Sequence, residues 1–295
     1  MLIRQRLALR DDFSQVDCAI ADYILRRGAA LQGESARHIA SAVYTSASSV
    51  VRLCQKLGFA GYNDFRDAWL AEGRYLSGHF QEIDANRPFA PGDPVTTIAS
   101  KMAALYRETV DDTLVLQDPD MLVQAVNYCR RAGTIYVCSA GSQSGLAEAF
   151  SEKMAKIGKT VLAEARTDMN FFHACTCPVT DCFLLISYSG ETANTLRVAR
   201  KLRQRRVHTV AITSYGGNTL GKLFSCKLYL STRERLVSNT GNFGAHLSTM
   251  YLLDLLYAGV FGLDFEGSYE LKKQVSREFE IYRRSENPVL KESED

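Results

Sequence analysis

The sequence has no charge imbalance. Its 35 Lys and Arg against 33 Asp and Glu leave a formal net charge of +2. No global field calls for nucleic acid, so a DNA role would need a local patch. There is no short disulfide framework either. The eight cysteines are Cys18, Cys54, Cys129, Cys138, Cys175, Cys177, Cys182 and Cys226. Cys138 and Cys182 lie in apolar runs and read as small buried hydrophobes, which fits a reducing cytoplasm. The first residues offer no signal-peptide core, because Arg4, Arg6, Arg10, Asp11 and Asp12 interrupt them. The most apolar late stretch, Leu247 to Leu263, contains Asp254 and falls short of a clean span, so no membrane partner is expected. No internal repeat is visible.

Reactive constellations are scarce as well. His173, Cys175 and Cys177 lack a fourth ligand at a typical spacing, so no metal or other cofactor is expected. Glu148, Glu191, Glu234, His173 and His246 are candidate acid/base groups, but no pair stands out by spacing. Each reads more simply as a surface residue, and no catalytic residue is nominated.

What is present is an ordinary globular composition, 46 % apolar and 23 % charged, in a chain of 295 residues that has room for two domains. Residues 1–77 read as all-helical. Ser14 caps a helix carrying Val16, Ile20, Tyr23 and Ile24, which ends at Arg26, Arg27 and Gly28. A short amphipathic helix over 36–43 follows, then a tight break at Tyr44 and Thr45. Ser46 caps a third helix whose apolar stripe is Val50, Leu53, Cys54 and Leu57, stopped by Gly58. A fourth runs over 63–72 and buries Phe65 and Trp69. Residues 78–94 hold Pro88, Pro91 and Pro94, three of the six prolines, and read as a linker.

Residues 95–285 begin with two helical stretches and then alternate. Strands are expected over 134–138, 160–163, 181–186, 208–213 and 227–230, with helices between them and a long apolar helix over 242–261 that belongs in a core or a subunit interface. Alternation of this kind predicts an α/β fold with a doubly wound parallel sheet, whose ligands sit beyond the carboxyl ends of the strands. The tail 286–295 is polar and expected to fray.

The most informative segment is Ser187-Tyr188-Ser189-Gly190-Glu191-Thr192, directly after the apolar run 182–186. A strand that stops at hydroxyls and a glycine, then opens a helix, can cradle a phosphate. Unpaired helix amides and the positive dipole end face the loop. Ser187, Ser189 and Thr192 add hydroxyl donors, and Gly190 admits close backbone approach. An ordinary strand–turn–helix corner with a serine cap would look the same on these six residues alone.

The helix pair over 36–57 reads as a helix-turn-helix. With Val50, Cys54 and Leu57 inward, the opposite stripe is Thr45, Ser48, Ser49, Arg52 and Lys56. Arg52 has the fork to pair with a guanine, and Ser46 and Lys56 would sit at phosphates. A plain helical bundle with a solvated polar stripe is the alternative.

The stretch from Ile39 to Tyr62, with its hydroxyl-rich helix start, the pair Val51-Arg52 and the run Lys56-Leu57-Gly58-Phe59-Ala60-Gly61, resembles the helix-turn-helix of RpiR-type transcriptional regulators. The later motif resembles the sugar isomerase (SIS) domain that these regulators carry after a linker, a flavodoxin-like α/β unit. Two departures stand out. Tyr44 occupies a turn position usually held by glycine, and in the loop after residue 138 Ser139 and Gln143 replace the usual first glycine and final serine. The resemblance implies a homo-oligomer, dimer or tetramer, that binds operator DNA and a phosphorylated sugar or sugar acid. Ser187, Ser189 and Thr192 would hold the phosphate, aided by Ser142, Gln143 and the Tyr188 amide. A sugar-phosphate isomerase with a helical appendage is the alternative.

Overall fold

The computed structural model describes residues 3–10, 12–78, 83–164 and 166–279, together with Asn287 and Val289. The expected tail 286–295 therefore lies, apart from those two residues, outside the described part. The chain divides into two compact units, residues 1–117, 187–192 and 212–248 in the first, and 118–186, 193–211 and 249–295 in the second.

The first unit begins with five helices: α1 (Ile3–Leu9), α2 (Gln15–Arg27), α3 (Ala36–Ala42), α4 (Ala47–Lys56) and α5 (Tyr62–Gly78). Local chemistry sets their ends. Ser14 and Asp17 form a reciprocal capping box on α2, while Ser35 and Ser46 cap α3 and α4 through His38 N and Ser49 N, each at 3.2 Å. Ile20, Ile24, Leu31, Ile39, Val50, Leu53 and Phe65 are fully buried between the helices. Trp69 donates its indole N–H to Gly28 O at 2.9 Å.

Within residues 1–77, which read as all-helical, the sequence does not single out α1 as an element. Ile3 and Leu7, four residues apart, are its buried face. Its first amides, on Ile3 and Arg4, donate to the buried carboxylate of Glu72. An acceptor about 70 positions away does the capping, which a local reading does not reveal.

The 21-residue helix α6 (Val95–Val115) is fastened within this unit by buried polar groups. Thr113 donates to Ser248 Oγ at 2.8 Å, Ser231 donates to Asp112, and Arg233 pairs with Glu108 at 2.6 Å. The expected linker is anchored as well. Asn86 donates to Arg233 O at 3.2 Å and accepts from Arg235 N at 2.7 Å and, on its carbonyl, from Thr240 N at 3.1 Å. Arg233 also donates to Ile83 O at 2.6 Å.

The second unit holds α7 (Pro119–Arg131), β1 (Thr134–Cys138), α8 (Ser144–Ala155), β2 (Thr160–Glu164), α9 (Thr167–Thr176) and most of β3 (Cys182–Ser187). It also holds α10 (Ala193–Arg205), the start of β4 (His208–Ser214) and α13 (Phe265–Phe279). The helix α11 (Thr219–Leu223) and the strand β5 (Lys227–Leu230) belong to the first unit, and α12 (Phe243–Gly262) begins there.

The five strands run in the order β2-β1-β3-β4-β5, the flavodoxin-like order of doubly wound folds. β1 is parallel to β2, with Tyr136 opposite Leu162, and to β3, with Val137 opposite Leu184. All six residues of β3 are buried, as a strand covered on both faces requires. All eight cysteines are free thiols, and burial pushes those of Cys54 and Cys138 up to about 12.

Helices α9 and α13 also escaped the sequence. His173 and Cys175 stand two residues apart on α9 and so on different faces. Among the described residues no group of His, Cys, Asp and Glu could hold a metal. No single described helix is long and apolar enough to cross a membrane.

Candidate functional site

The loop after β3 folds on its own hydroxyls. Ser187 Oγ lies 2.9 Å from Thr192 Oγ1 and accepts from Gly190 N at 3.2 Å. Ser189 Oγ accepts from Glu191 N at 3.1 Å. One short turn thus brings two of the expected hydroxyls, Ser187 and Thr192, into contact and carries the third, Ser189, between the end of β3 and α10. Helix α10 has no acidic residue in its first turn and carries Arg203 and Arg205 in its last.

Gly190 has φ 66°, a left-handed conformation that glycine adopts without strain. A Cβ built there would stand 2.1 Å from Asn218 Oδ1. Asn218 braces the loop from the neighbouring turn. It donates to Ser214 O at 3.1 Å and caps α11 by accepting from Gly221 N at 2.8 Å. Backbone bonds from Ser214 N to Tyr188 O and from Leu220 N to Gly190 O close the seam at 3.2 and 3.0 Å. The Glu191 carboxylate accepts from Thr219 N at 2.7 Å.

Tyr188 turns its ring away from the turn. Its phenol donates to Glu234 O at 2.8 Å, and burial raises its pKa. Glu234 was read as a surface residue, and the structure corrects this. It is only 6 % exposed, and its carboxylate accepts from Gly244 N at 3.1 Å and Ala245 N at 2.8 Å, closing the first turn of α12. Burial still holds its pKa above the ordinary value. Sequence reasoning also passed over Asn218 as a brace. Its signal was the pairing of a glycine-containing turn with an Asx cap in the adjacent loop.

Ser142 and Gln143 lie in the second unit, in the short turn Gly141–Gln143 after β1. Gln143 Oε1 is buried and accepts no hydrogen bond among the described residues.

The helix-turn-helix is formed by α3 and α4. Thr45 is half-buried, while Ser46, Ser48, Arg52 and Lys56 are exposed. Ser46 Oγ lies 2.7 Å from Ser48 Oγ and 3.0 Å from Ser49 Oγ. Ser49 is buried, and its hydroxyl accepts from Arg52 Nη2 at 3.0 Å. It therefore steers the guanidinium. Lys56 is engaged within the domain, its ammonium donating to Asp12 O, lying 3.5 Å from Asp17 and 5.4 Å from the Phe13 ring centroid.

Residues 3–72 match the helix-turn-helix domain of the rpiR family, and residues 128–258 match the SIS domain. The chain is 28 % identical over 274 residues to the HTH-type transcriptional regulator YfhH of Escherichia coli, spanning 90 % of this chain and 92 % of that one. It is 23 % identical over 247 residues to YbbH of Bacillus subtilis, named likewise, with 84 % and 86 % covered. Among solved structures, the Vibrio vulnificus NanR protein complexed with ManNAc-6P superposes with a TM-score of 0.62 at 23 % identity, over 96 % of this chain and 99 % of that one. The sugar isomerase domain of an RpiR transcription factor from Sphaerobacter thermophilus gives 0.53 at 19 % identity, over 61 % and 98 %.

Proposed function

The chain belongs to the RpiR-type transcriptional regulators, which join a helix-turn-helix domain to a SIS domain, and from that premise we propose that it is a sensor of a phosphorylated sugar or sugar acid. The observation that carries the ligand reading is the turn 187–192, where the Ser187 and Thr192 hydroxyls meet, with Ser189 beside them in the chain, ahead of an α10 free of acidic residues in its first turn. A phosphate there meets hydroxyl donors, a glycine-permitted backbone approach and the positive end of a helix. The bound NanR neighbour supports the same ligand class.

In this reading residues 1–77 bind operator DNA and residues 95–285 bind the effector. The protein works in the cytoplasm as a dimer or tetramer, and it acts by binding rather than by turnover. The effector biases one placement of the DNA-binding units, since only differential affinity moves such an equilibrium.

The test is a thermal-shift screen of the full chain against sugar phosphates, sugar-acid phosphates and their unphosphorylated counterparts. A ligand at about a hundred times its Kd stabilises by about 2.7 kcal/mol, or several degrees in Tm. The reading requires a shift that disappears with the phosphate. Equal shifts from phosphorylated and unphosphorylated forms, or none across the panel, would remove it.

For the DNA side, Arg52→Ala is expected to weaken operator binding by about 1–3 kcal/mol, the worth of one bidentate base contact, and to relax specificity at one base pair. Sugar-phosphate binding should be untouched. Mobility-shift titrations against a panel of single-base operator variants check it. A uniform loss across the panel would place Arg52 at the backbone instead.

A further inference from the structure

Tyr44 combines two properties that a fold does not select for on its own account. Its backbone is left-handed, with φ 55°, and its side chain is 98 % exposed. The turn closes the end of α3 with Thr45 N–H bonded to Ala40 O at 2.8 Å and Tyr44 N–H to Ser41 O at 3.4 Å. This is the Schellman pattern, with Tyr44 at the position where a residue bearing Cβ is strained and glycine is not.

The same closure ends two other helices with glycine. After α4, Phe59 N reaches Cys54 O at 3.0 Å and Gly58 has φ 85°. After α8, Lys159 N reaches Met154 O at 3.0 Å and Gly158 has φ 73°. After α10 the position is Arg206, φ 58°, a cation at the negative end of a helix. Tyr44 brings no charge to α3. Among the described residues its phenol makes no hydrogen bond and its ring meets no other ring. The strain is therefore not offset by burial, pairing or dipole.

The residue stands immediately before Thr45 and Ser46, at the start of the helix that carries Arg52. Resting on the DNA-binding reading of this domain, we propose that the Tyr44 hydroxyl donates a hydrogen bond to a phosphate oxygen of the DNA backbone and so sets how α4 enters the major groove. Tyrosine is one of the neutral side chains used for such contacts, which position a protein without reading sequence. An exposed phenol on a turn can reach a strand flanking the groove, whereas glycine would leave that phosphate unmet.

Because a phosphate contact is independent of sequence, the test needs no operator. Full-length wild type, Tyr44→Phe and Tyr44→Gly are titrated onto a labelled mixed-sequence duplex between about 50 and 200 mM salt, and the melting temperature of each is recorded. Tyr44→Phe should weaken binding roughly three- to tenfold. The slope of log K against log salt should stay unchanged, because a neutral donor releases no counterion. Tyr44→Gly should bind as weakly while melting no lower than wild type, since it relaxes the turn. Binding by Tyr44→Phe within twofold of wild type overturns the proposal, as does a loss in either variant that follows a lowered melting temperature. A wild type that binds no duplex at all would remove the DNA reading of the domain and this proposal with it.

Discussion

Gly190→Ala is expected to lower the melting temperature by about 5–15 °C and to abolish sugar-phosphate-dependent stabilisation. Two costs add. The left-handed backbone at φ 66° penalises any Cβ by about 1–2 kcal/mol. The new methyl would also stand 2.1 Å from Asn218 Oδ1 and 2.3 Å from its Cγ, an overpacking that typically costs about 1–3 kcal/mol. Asn218 cannot retreat freely, since it caps α11 and holds Ser214 O. A total of about 2–5 kcal/mol brackets the stated shift at roughly 2–4 °C per kcal/mol. The loop would move to relieve the overlap, and the hydroxyls of Ser187, Ser189 and Thr192 would move with it. Pairing Gly190→Ala with Asn218→Gly should recover part of the loss, a coupling between neighbours that a double-mutant cycle measures. A single variant that melts and binds as wild type would mean that Asn218 does not brace the loop.

Glu234→Ala should cost about 2–4 kcal/mol, read by urea or thermal unfolding. The carboxylate is the acceptor for Gly244 N and Ala245 N at the buried start of α12, and each orphaned amide costs about 1–3 kcal/mol. Removing a desolvated charge returns a portion. Tyr188 would keep its bond to the Glu234 carbonyl in the variant, so the turn 187–192 should survive better than in Gly190→Ala.

The carboxylate also predicts a pH dependence. Burial raises the Glu234 pKa above its ordinary 4.5, against the pull of the amides. An acid with a raised folded pKa binds its proton more tightly when folded. Its contribution to stability therefore falls as pH climbs from about 4.5 through the folded value, and recovers on acidification. Glu234→Gln lacks this titration. The stability difference between wild type and Glu234→Gln should shift in favour of wild type as pH is lowered through that window. A shift the other way would show that the amides, not desolvation, dominate the carboxylate.

Much of this site was legible because its determinants are local. The hydroxyl run 187–192 follows a strand that has no exposed face, and Ser46 announces α4 by an acceptor three residues from its donor. The apolar stripe Val50, Leu53 and Cys54 lies inside, as helical spacing demands. The missing pieces share a different cause. Glu72 caps α1 from the far end of the helical region. Glu234 owes its burial to the start of a helix ten residues on. Lys56 meets Asp12 and Asp17, about 40 positions earlier. Each is a polar contact made by tertiary folding, and a lone charged residue in a sequence does not reveal which amide or carboxylate it will face. Helix α13 was hidden for another reason. Phe265, Tyr269 and Phe279 remain exposed on it, so its pattern gives no clear inward face.

The anchored connector also sets a reach. Helix α5 ends at Gly78, and the chain is pinned again at Ile83 and Asn86 against residues 233–240. Five Cα steps join Gly78 to Ile83, at most about 18 Å even when fully extended. Neighbouring half-sites on DNA lie about 34 Å apart. In the proposed oligomer so short a leash gives each recognition helix, on its own, about half of that distance at full extension. In the dimer or tetramer proposed above, the half-site separation would follow from how the α/β domains assemble, and a change in that assembly would move the reading heads as a caliper moves its jaws.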